Sequence, residues 1–208
     1  MNDFVDNLVS KPFVVGFAGA SYSGKTTTAN ELKSRLIKEG YKVCLINEHA
    51  RQILTEFKTT LDRIRNDKTL FMLFQNEILI RHIDNVYRSL SDDYDIILCD
   101  RTVFDIVSYV ILYNHLIHDD DFTAFYVNCI KFAKHYNTLF LFQPLPMDNN
   151  YFDGVRLANE KRIMFQEILK GLIASYYLEC QGFNVYEVPL MNLEDRVEYI
   201  YNIITQHV

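Results

Sequence analysis

Several features that would assign this sequence to other classes of protein are missing from it. No apolar run approaches the ~18 residues that a membrane-spanning helix requires, so a membrane is not an expected partner. Residues 1–10 contain acidic side chains and no long apolar stretch, which does not fit a signal peptide. The chain has only four prolines and no internal repeat, low-complexity tract or glycine- and serine-rich linker. Nothing in it therefore marks a boundary between separate domains.

Cysteine is also scarce, and its four occurrences are widely scattered, at Cys44, Cys99, Cys129 and Cys180. They form no C-x-x-C pair and no cluster with histidine at the spacing of a zinc site. Cys44 and Cys99 lie within apolar runs and are predicted to be small buried hydrophobic residues. We therefore expect a reducing compartment and a cytoplasmic location.

An excess of basic residues is absent as well. The formal net charge is −6, whereas a general nucleic-acid or anionic-membrane surface would be basic. Nucleic acid is therefore not an expected partner, although a local basic pocket for a small anion is compatible with this charge. With 208 residues, 49% of them hydrophobic, the chain is long enough to form one core, and we predict a single domain over residues 1–208.

Short apolar runs alternate with stretches of helical periodicity along the chain. An acidic break is expected at residues 119–121, and the stretch 57–68 has no assignment. Strands are predicted at 13–18, 42–47, 94–99, 138–142 and 183–188, and helices at 25–39, 70–90, 104–113, 122–135, 157–181 and from about 192 onwards.

This alternation predicts the fold class. Near-continuous apolar strands are typical of burial on both faces, and their alternation with helices indicates an α/β fold with a parallel sheet and right-handed crossovers. Ligands of such sheets bind beyond the carboxyl ends of the strands. The functional residues are therefore expected within 19–26, 47–51, 99–105 and 143–156.

One motif between the first strand and the first helix is highly specific. Gly19, Gly24, Lys25 and Thr26 fill the pattern G-x-x-x-x-G-K-[ST], and a chance match in such a chain has a probability on the order of one per cent. Glycines allow backbone amides to surround the phosphates, and the helix N-terminus adds positive potential. Lys25 is predicted to reach the β- and γ-phosphates of ATP, and the Thr26 hydroxyl to coordinate Mg²⁺. The predicted nucleotide-binding residues are Gly19, Ala20, Ser21, Tyr22, Ser23, Gly24, Lys25, Thr26 and Thr27.

An acid and an arginine follow the second predicted strand. Glu48 would face the phosphate loop, where it could accept a proton from a substrate hydroxyl or hold Mg²⁺ through water. The alternative is an ordinary acid at a helix N-terminus. Arg51 is predicted either to bind the substrate or to pair with Glu48.

A second acid–arginine pair ends the third strand. Asp100 occupies the position at which P-loop proteins hold the Mg²⁺ shell, and the adjacent Arg101 offers a bidentate guanidinium to a phosphate or a substrate oxygen. The alternative is a helix cap, in which Asp100 or Thr102 begins the helix near Phe104. Asp105 needs no special role, because acids are common in a first helical turn.

Two further segments carry candidate substrate contacts. Phe74 and Gln75 lie on an apolar helix face, where an aromatic ring could stack on a base while the amide reads its edge; the alternative is a core glutamine with its hydrogen bonds satisfied. The loop at 143–156 and the helix start after it form a lid-like segment around 143–162. Arg156, Lys161 and Arg162 are its cations, which either neutralise the transferred phosphoryl group or form a solvated basic face.

Four strings, at 19–26, 47–51, 99–102 and 153–156, resemble the P-loop kinase group that includes the nicotinamide riboside kinase domain, part of which is described as AAA-type ATPases. The middle of the chain also resembles deoxynucleoside and thymidylate kinases. This resemblance implies a three-layer P-loop NTPase fold with a five-stranded parallel sheet in the order 2-3-1-4-5. It also implies an ATP donor and a nucleoside or nucleotide acceptor, and it is compatible with a homodimer.

The resemblance gives each candidate residue a role. It makes Lys25, Glu48, Arg101 and Arg156 catalytic residues, with Glu48 as the base and Arg156 on the lid, and it makes Gln75 a reader of the base. The expected reaction is phosphoryl transfer from ATP to nicotinamide riboside or another nucleoside, or to a nucleoside monophosphate. A P-loop ATPase or nucleotide switch without a small acceptor, and a polynucleotide-end kinase, remain as alternatives.

Overall fold

Five short apolar segments assemble into one parallel sheet in the computed structural model, which describes residues 11–113, 119–146, 159–180 and 183–208. The strands are β1 (Phe13–Ala18), β2 (Val43–Ile46), β3 (Ile96–Asp100), β4 (Thr138–Phe142) and β5 (Asn184–Val188). The helices are α1 (Lys25–Lys38), α2 (Ala50–Glu56), α3 (Leu61–Arg65), α4 (Lys68–Ser91), α5 (Val103–Leu112), α6 (Asp119–Ala133), α7 (Asn159–Cys180) and α8 (Leu193–Ile204).

The strand order is β2-β3-β1-β4-β5, and every neighbouring pair is parallel. Successive side chains of a strand point to opposite faces, so Val14 joins one hydrophobic core while Val15 and Phe17 join another on the opposite face. Helices cover both faces and bury β1, at the centre of the sheet, almost completely. The predicted α/β class, its three layers and its strand order are thus confirmed.

A glycine on the central strand allows a close approach between layers. A β-carbon at Gly16 would lie 2.5 Å from Leu139 Cδ2 and 2.7 Å from Thr102 Cγ2. The start of α5 can therefore pack directly on β1, next to the loop that leads into α1. Because β1 and β3 pair in parallel, their carboxyl ends lie together at one edge of the sheet.

Two parts of the sequence form helices that were not predicted. The segment after β2 contains α2 and α3, and the Thr60 side chain begins α3 by accepting the Arg63 backbone N–H at 3.3 Å. The acidic run expected to break the chain instead opens α6, because acids at a helix N-terminus interact favourably with the helix dipole. Other boundaries shift by only a few residues.

Cys44, Cys99 and Cys129 are free thiols. Cys99 is buried as predicted, whereas Cys44 is only partly buried and its Sγ lies 3.2 Å from Ser89 Oγ. Among the helices that the structure describes, none is long and apolar enough to span a membrane.

Candidate functional site

The phosphate loop connects β1 to the N-terminus of α1. Gly24 has a φ of 84°, a conformation that glycine adopts without strain, and Tyr22 takes a left-handed φ of 57°. Gly24 is the N-cap of α1, which has no side-chain cap and no acidic residue in its first turn. The first amides of a helix have no partner within it, so those of Lys25, Thr26 and Thr27 are suited to an anion.

Two buried side chains hold the start of the loop. The Gly19 N–H donates to Asp105 Oδ1 at 3.1 Å, and the Ala20 N–H donates to Gln166 Oε1 at 2.9 Å. The Gln166 amide also donates to the Phe142 carbonyl at 3.0 Å, which ties the loop to the end of β4. The sequence analysis missed Gln166, because nothing in its local sequence distinguishes it from any other helical glutamine.

Asp105 has a larger structural role than expected. It is fully buried, and its Oδ2 accepts hydrogen bonds from the Thr102 N–H at 3.0 Å and the Thr102 hydroxyl at 2.7 Å. Together these residues form a capping box that starts α5, so the alternative of Asp100 as the cap is wrong. The Thr-x-x-Asp spacing was the available signal. Burial raises the pKa of Asp105, and the nearby Lys25 and Arg101 oppose that rise.

Lys25 is folded into the loop itself. Its Nζ donates to the Gly19 carbonyl at 2.6 Å, the Ala20 carbonyl at 2.7 Å and Ser23 Oγ at 3.0 Å. The residue is 5% exposed. Burial, and then the positive charge of Arg101, lower the pKa of Lys25 to about 8. Its ammonium group is thus held where backbone amides of the loop and the helix N-terminus converge.

An oxygen pair beside the loop fits a magnesium ion. Thr26 Oγ1 donates to Asp100 Oδ2 at 2.6 Å, which places a hydroxyl next to a carboxylate at the end of β3. Mg²⁺ is usually held by one or two protein oxygens together with phosphates and waters. No group of three or more His, Cys, Asp or Glu ligands occurs within the described ranges, so an all-protein metal centre is not indicated there.

Glu48 and Arg101 meet across the ends of β2 and β3. Arg101 Nε lies 3.1 Å from Glu48 Oε1, and Arg101 Nη1 lies 3.7 Å from Asp105 Oδ1. Nη1 is buried and has no hydrogen-bond partner in the described part of the chain. Arg101 also has a φ of 105°, a strained value for a side chain with a β-carbon, and such strain is concentrated at functional sites.

Glu48 and Arg101 each stabilise the charged form of the other. Burial tends to raise the pKa of Glu48, but Arg101, followed by Lys25 and Arg51, brings it below its usual value. Burial likewise opposes the charge of Arg101, whereas Glu48 and the other groups around it hold its pKa above the ordinary range. Glu48 is therefore a carboxylate at neutral pH, and Arg101 is a guanidinium cation.

A cavity of about 730 Å³ joins the phosphate loop to these residues. Its wall includes the ends of β2 and β3 and the inner faces of α3, α4 and α5. It brings together the predicted acceptor-side and metal residues, which are Glu48, Arg51, Phe74, Gln75, Asp100 and Arg101. Much of the remaining wall is apolar or aromatic, with Leu61, Ile64, Phe71, Ile78, Tyr109 and Tyr113.

Gln75 contributes an amide to this wall. The residue is 6% exposed and lines the cavity, yet it forms no hydrogen bond with the other described residues. The alternative of a core glutamine with satisfied hydrogen bonds therefore does not describe it. Its amide offers a donor and an acceptor to a polar ligand in the cavity.

Of the predicted lid cations, Arg162 differs from the expectation, whereas Arg156 is not described by the structure. Arg156 belongs to residues 147–158, which lie outside the described residues. Arg162 is 1% exposed, and it donates from Nε to the Ser21 carbonyl at 3.0 Å and from Nη2 to the Leu145 carbonyl at 3.1 Å. It supports the phosphate loop and is not part of a solvated face. Lys161 is exposed, with Nζ 4.7 Å from the centre of the Tyr113 ring.

Comparisons with known proteins agree with this architecture. A family model described as "AAA domain" matches residues 14–196. The solved structure of deoxyadenosine kinase from M. mycoides, with the products dCMP and a flexible dCDP bound, superimposes with a TM-score of 0.65. That match covers 93% of this chain and 100% of the other at 13% identity, so it shows a shared fold. No curated protein sequence matches the chain significantly.

Proposed function

Since the chain belongs to the AAA domain family that matches residues 14–196, we propose that it is a P-loop kinase that transfers a phosphoryl group from ATP to a small nucleoside-like acceptor. One observation carries this proposal. The phosphate loop and a largely apolar pocket with a carboxylate at its edge share a single cavity. Donor phosphates and an acceptor bound in this cavity would lie next to each other, as direct transfer requires.

The size and lining of the cavity favour a small acceptor over the alternatives. Small-molecule pockets typically enclose roughly 300–1,000 Å³ and are mostly apolar with a few placed polar groups, and the cavity of about 730 Å³ falls in that range. A polynucleotide strand would need an open groove. A nucleotide switch would not need an apolar pocket beside the loop.

On the donor side, this chain supplies positive groups to the triphosphate. The amides of the first turn of α1 and the ammonium group of Lys25 would bind the phosphate oxygens. Thr26 and Asp100 would hold Mg²⁺, which when bound neutralises charge on the phosphates. Lys25 would exchange its hydrogen bonds to the loop carbonyls for bonds to phosphate, so the loop loses none of its order.

On the acceptor side, Glu48 and Arg101 act as a pair. The lowered pKa of Glu48 keeps it ionised, so it can accept a proton from the acceptor hydroxyl or orient that hydroxyl for in-line attack. Arg101 holds Glu48 through Nε. Its Nη1, which lacks a hydrogen bond within the described part of the chain, is available to the acceptor or to the transferred phosphoryl group.

The rest of the pocket would bind the acceptor's ring. Phe74 offers an aromatic surface and Gln75 an amide to a nucleobase-like group, while Arg51 would bind a substrate oxygen. We propose nicotinamide riboside or another nucleoside as the first acceptor class. A nucleoside monophosphate is the second, and the arginines on the wall, Arg51 and Arg65, favour an anionic acceptor of this kind.

A thermal-shift screen tests this assignment. The protein, with Mg²⁺ and an unreactive ATP analogue, is mixed with nucleosides, nucleoside monophosphates and pyridine ribosides in turn. A ligand that binds the native state raises the unfolding midpoint, so we expect one acceptor class to add to the shift produced by the analogue. A shift with the analogue but none with any acceptor would instead support a nucleotide switch.

A further inference from the structure

Arg196, on the first turns of α8, is a buried cation without a carboxylate partner. The residue is 7% exposed. Its Nε is fully buried and has no hydrogen-bond partner, and its guanidinium forms no hydrogen bond or ion pair with any residue that the structure describes. The guanidinium instead lies over an aromatic ring, with Arg196 Cζ 5.9 Å from the centre of the Phe142 ring.

Three other arginines of the described residues pair closely with acids. Arg101 pairs with Glu48, and Arg35 pairs with Glu198 across the α1–α8 interface. Arg81 pairs with acids on two helices, Glu56 and Glu77. The Nε of Arg196 is removed from water without such a partner, and a cation held in this way favours a bound anion.

The guanidinium of Arg196 lies directly against the phosphate loop. A β-carbon at Gly24 would be 2.9 Å from both terminal nitrogens of Arg196 and 3.0 Å from its Cζ. The group therefore covers the backbone of the residue just before Lys25, at the N-terminus of α1. A helix N-terminus, an ammonium group and a guanidinium group thus converge on one short loop, and together they form a strongly positive site.

Arg196 does not line the cavity that joins the phosphate loop to the acceptor-side residues, and it contacts the loop from outside that cavity. It approaches the loop from α8, whose N-terminal turn is capped by Asn192 through a 2.9 Å hydrogen bond from the Asp195 N–H. An anion that neutralises Arg196 would therefore reach Gly24 from the α8 side of the loop. Because the loop is proposed to bind the triphosphate of ATP, the phosphate chain of the donor has the chemistry and the location that Arg196 requires.

We propose that Arg196 is a donor-nucleotide contact that binds the phosphate chain from the α8 flank. This inference rests on the proposed function, because it assigns the loop's ligand as a nucleoside triphosphate. It adds a cation that the loop motif does not contain. Gly24 has to remain without a side chain both for its backbone conformation and for the space that the Arg196 guanidinium occupies.

The test compares Arg196→Met with the native protein by calorimetric titration of ATP and of tripolyphosphate with Mg²⁺. Losing a charge-assisted contact should raise both dissociation constants by about tenfold or more. Arg196→Lys should restore most of the affinity, because it keeps the charge. Weakened binding of ATP with unchanged binding of tripolyphosphate would overturn the proposal, because the contact would then not be to phosphate.

Thermal unfolding without nucleotide separates this role from a structural one. Removing an uncompensated buried charge should leave the midpoint of Arg196→Met equal to or above that of the native protein, while its ATP-induced shift becomes smaller. A lower midpoint with an unchanged ATP dissociation constant would overturn the proposal. Arg35→Met is the matched control, since Arg35 is paired with Glu198 and its loss should leave ATP binding unchanged.

The two proposals fail in distinguishable ways. If the native protein binds neither ATP nor tripolyphosphate, the proposed function is wrong. If the native protein binds both and Arg196→Met binds both equally well, only the role of Arg196 is wrong.

Discussion

The protonation of Lys25 is linked to nucleotide binding through the burial of its ammonium group. Its pKa in the free protein is lowered to about 8, and a bound triphosphate would favour the charged form and raise that pKa. ATP binding should therefore take up protons at about pH 8.5, and affinity should fall as the pH rises above 8. Calorimetric titrations in two buffers with different ionisation enthalpies measure this uptake, and identical heats in both would contradict it.

Glu48 should affect turnover more than binding, because it faces the acceptor end of the cavity and not the loop amides. Glu48→Gln removes the proton acceptor while keeping the side-chain size, and we expect turnover to fall by roughly 10²–10⁴-fold, the usual contribution of a general base. The ATP dissociation constant should change little. Steady-state kinetics and calorimetry on the same preparation measure both, and undiminished turnover would remove Glu48 from the mechanism.

The sequence allows a role to be proposed for residues in a local motif, but not for residues whose contacts are distant in the chain. The phosphate loop and the strand-end acids were identified because their spacing and position carry the signal. Gln166 accepts a hydrogen bond from a loop N–H 146 positions away in the chain, and Arg162 donates one to a loop carbonyl 141 positions away. No local pattern encodes such contacts, so only the fold could show them.

At the scale of elements, burial and length decided what was predictable. The strands and long helices have a clear apolar pattern and were identified. Helices α2 and α3, with seven and five residues, are too short to show a helical period. Leu61, Ile64 and Arg65 of α3 nevertheless line the cavity, so the unassigned stretch of sequence contributes to the proposed acceptor pocket.

The packing of α5 on β1 requires a residue without a side chain at Gly16. Gly16→Ala would place a methyl group within 2.7 Å of two side-chain atoms, on Leu139 and Thr102, and overpacking of a core typically costs about 1–3 kcal/mol. We expect the free energy of unfolding, measured by urea denaturation, to fall by this amount. A variant as stable as the native protein would contradict the close approach of the two layers.

Gly171 on α7 provides the matched control. A β-carbon there has no other atom within 4 Å, and alanine in a helix is favoured over glycine by about 0.5–1 kcal/mol. Gly171→Ala should therefore stabilise the protein slightly, so the same substitution has opposite effects at the two positions.

For the whole molecule, a buried histidine predicts how stability depends on pH. His82 Nε2 lies 2.8 Å from the Tyr136 hydroxyl, which also accepts the Val103 N–H at 3.1 Å. Burial, with a smaller effect of His49, lowers the pKa of His82 from its ordinary value of 6.5 to about 3. The unfolded chain thus binds this proton first, and the stabilisation that is present above pH 6.5 is lost as the pH falls towards 3.

This linkage amounts to about 2 kcal/mol at about pH 5. His82→Gln keeps a hydrogen-bond acceptor for Tyr136 but does not titrate. Between about pH 7 and pH 5, its free energy of unfolding should therefore fall by about 2 kcal/mol less than that of the native protein. Denaturant titrations at both pH values measure the difference, and parallel losses in the two proteins would show that His82 does not bind this proton on unfolding.

The architecture explains why the candidate site lies where it does. The carboxyl ends of β1, β2 and β3 meet at one edge of the parallel sheet, and each is followed by polar residues that the cavity brings together. The sequence could predict this edge from the alternation of apolar strands with helices, which indicates a parallel sheet. It could not predict the acceptor, because the pocket that selects it is built from several helices whose relative packing is a property of the whole fold.

Phosphorus NMR of the native protein incubated with Mg²⁺, ATP and each candidate acceptor class tests the central claim most directly. The account predicts that a phosphorylated acceptor accumulates in step with ADP, and that Lys25→Ala forms neither product while keeping its native fold. If ADP and inorganic phosphate accumulate at the same rate with and without every acceptor, and no phosphorylated acceptor forms, the assignment as a small-molecule kinase is contradicted.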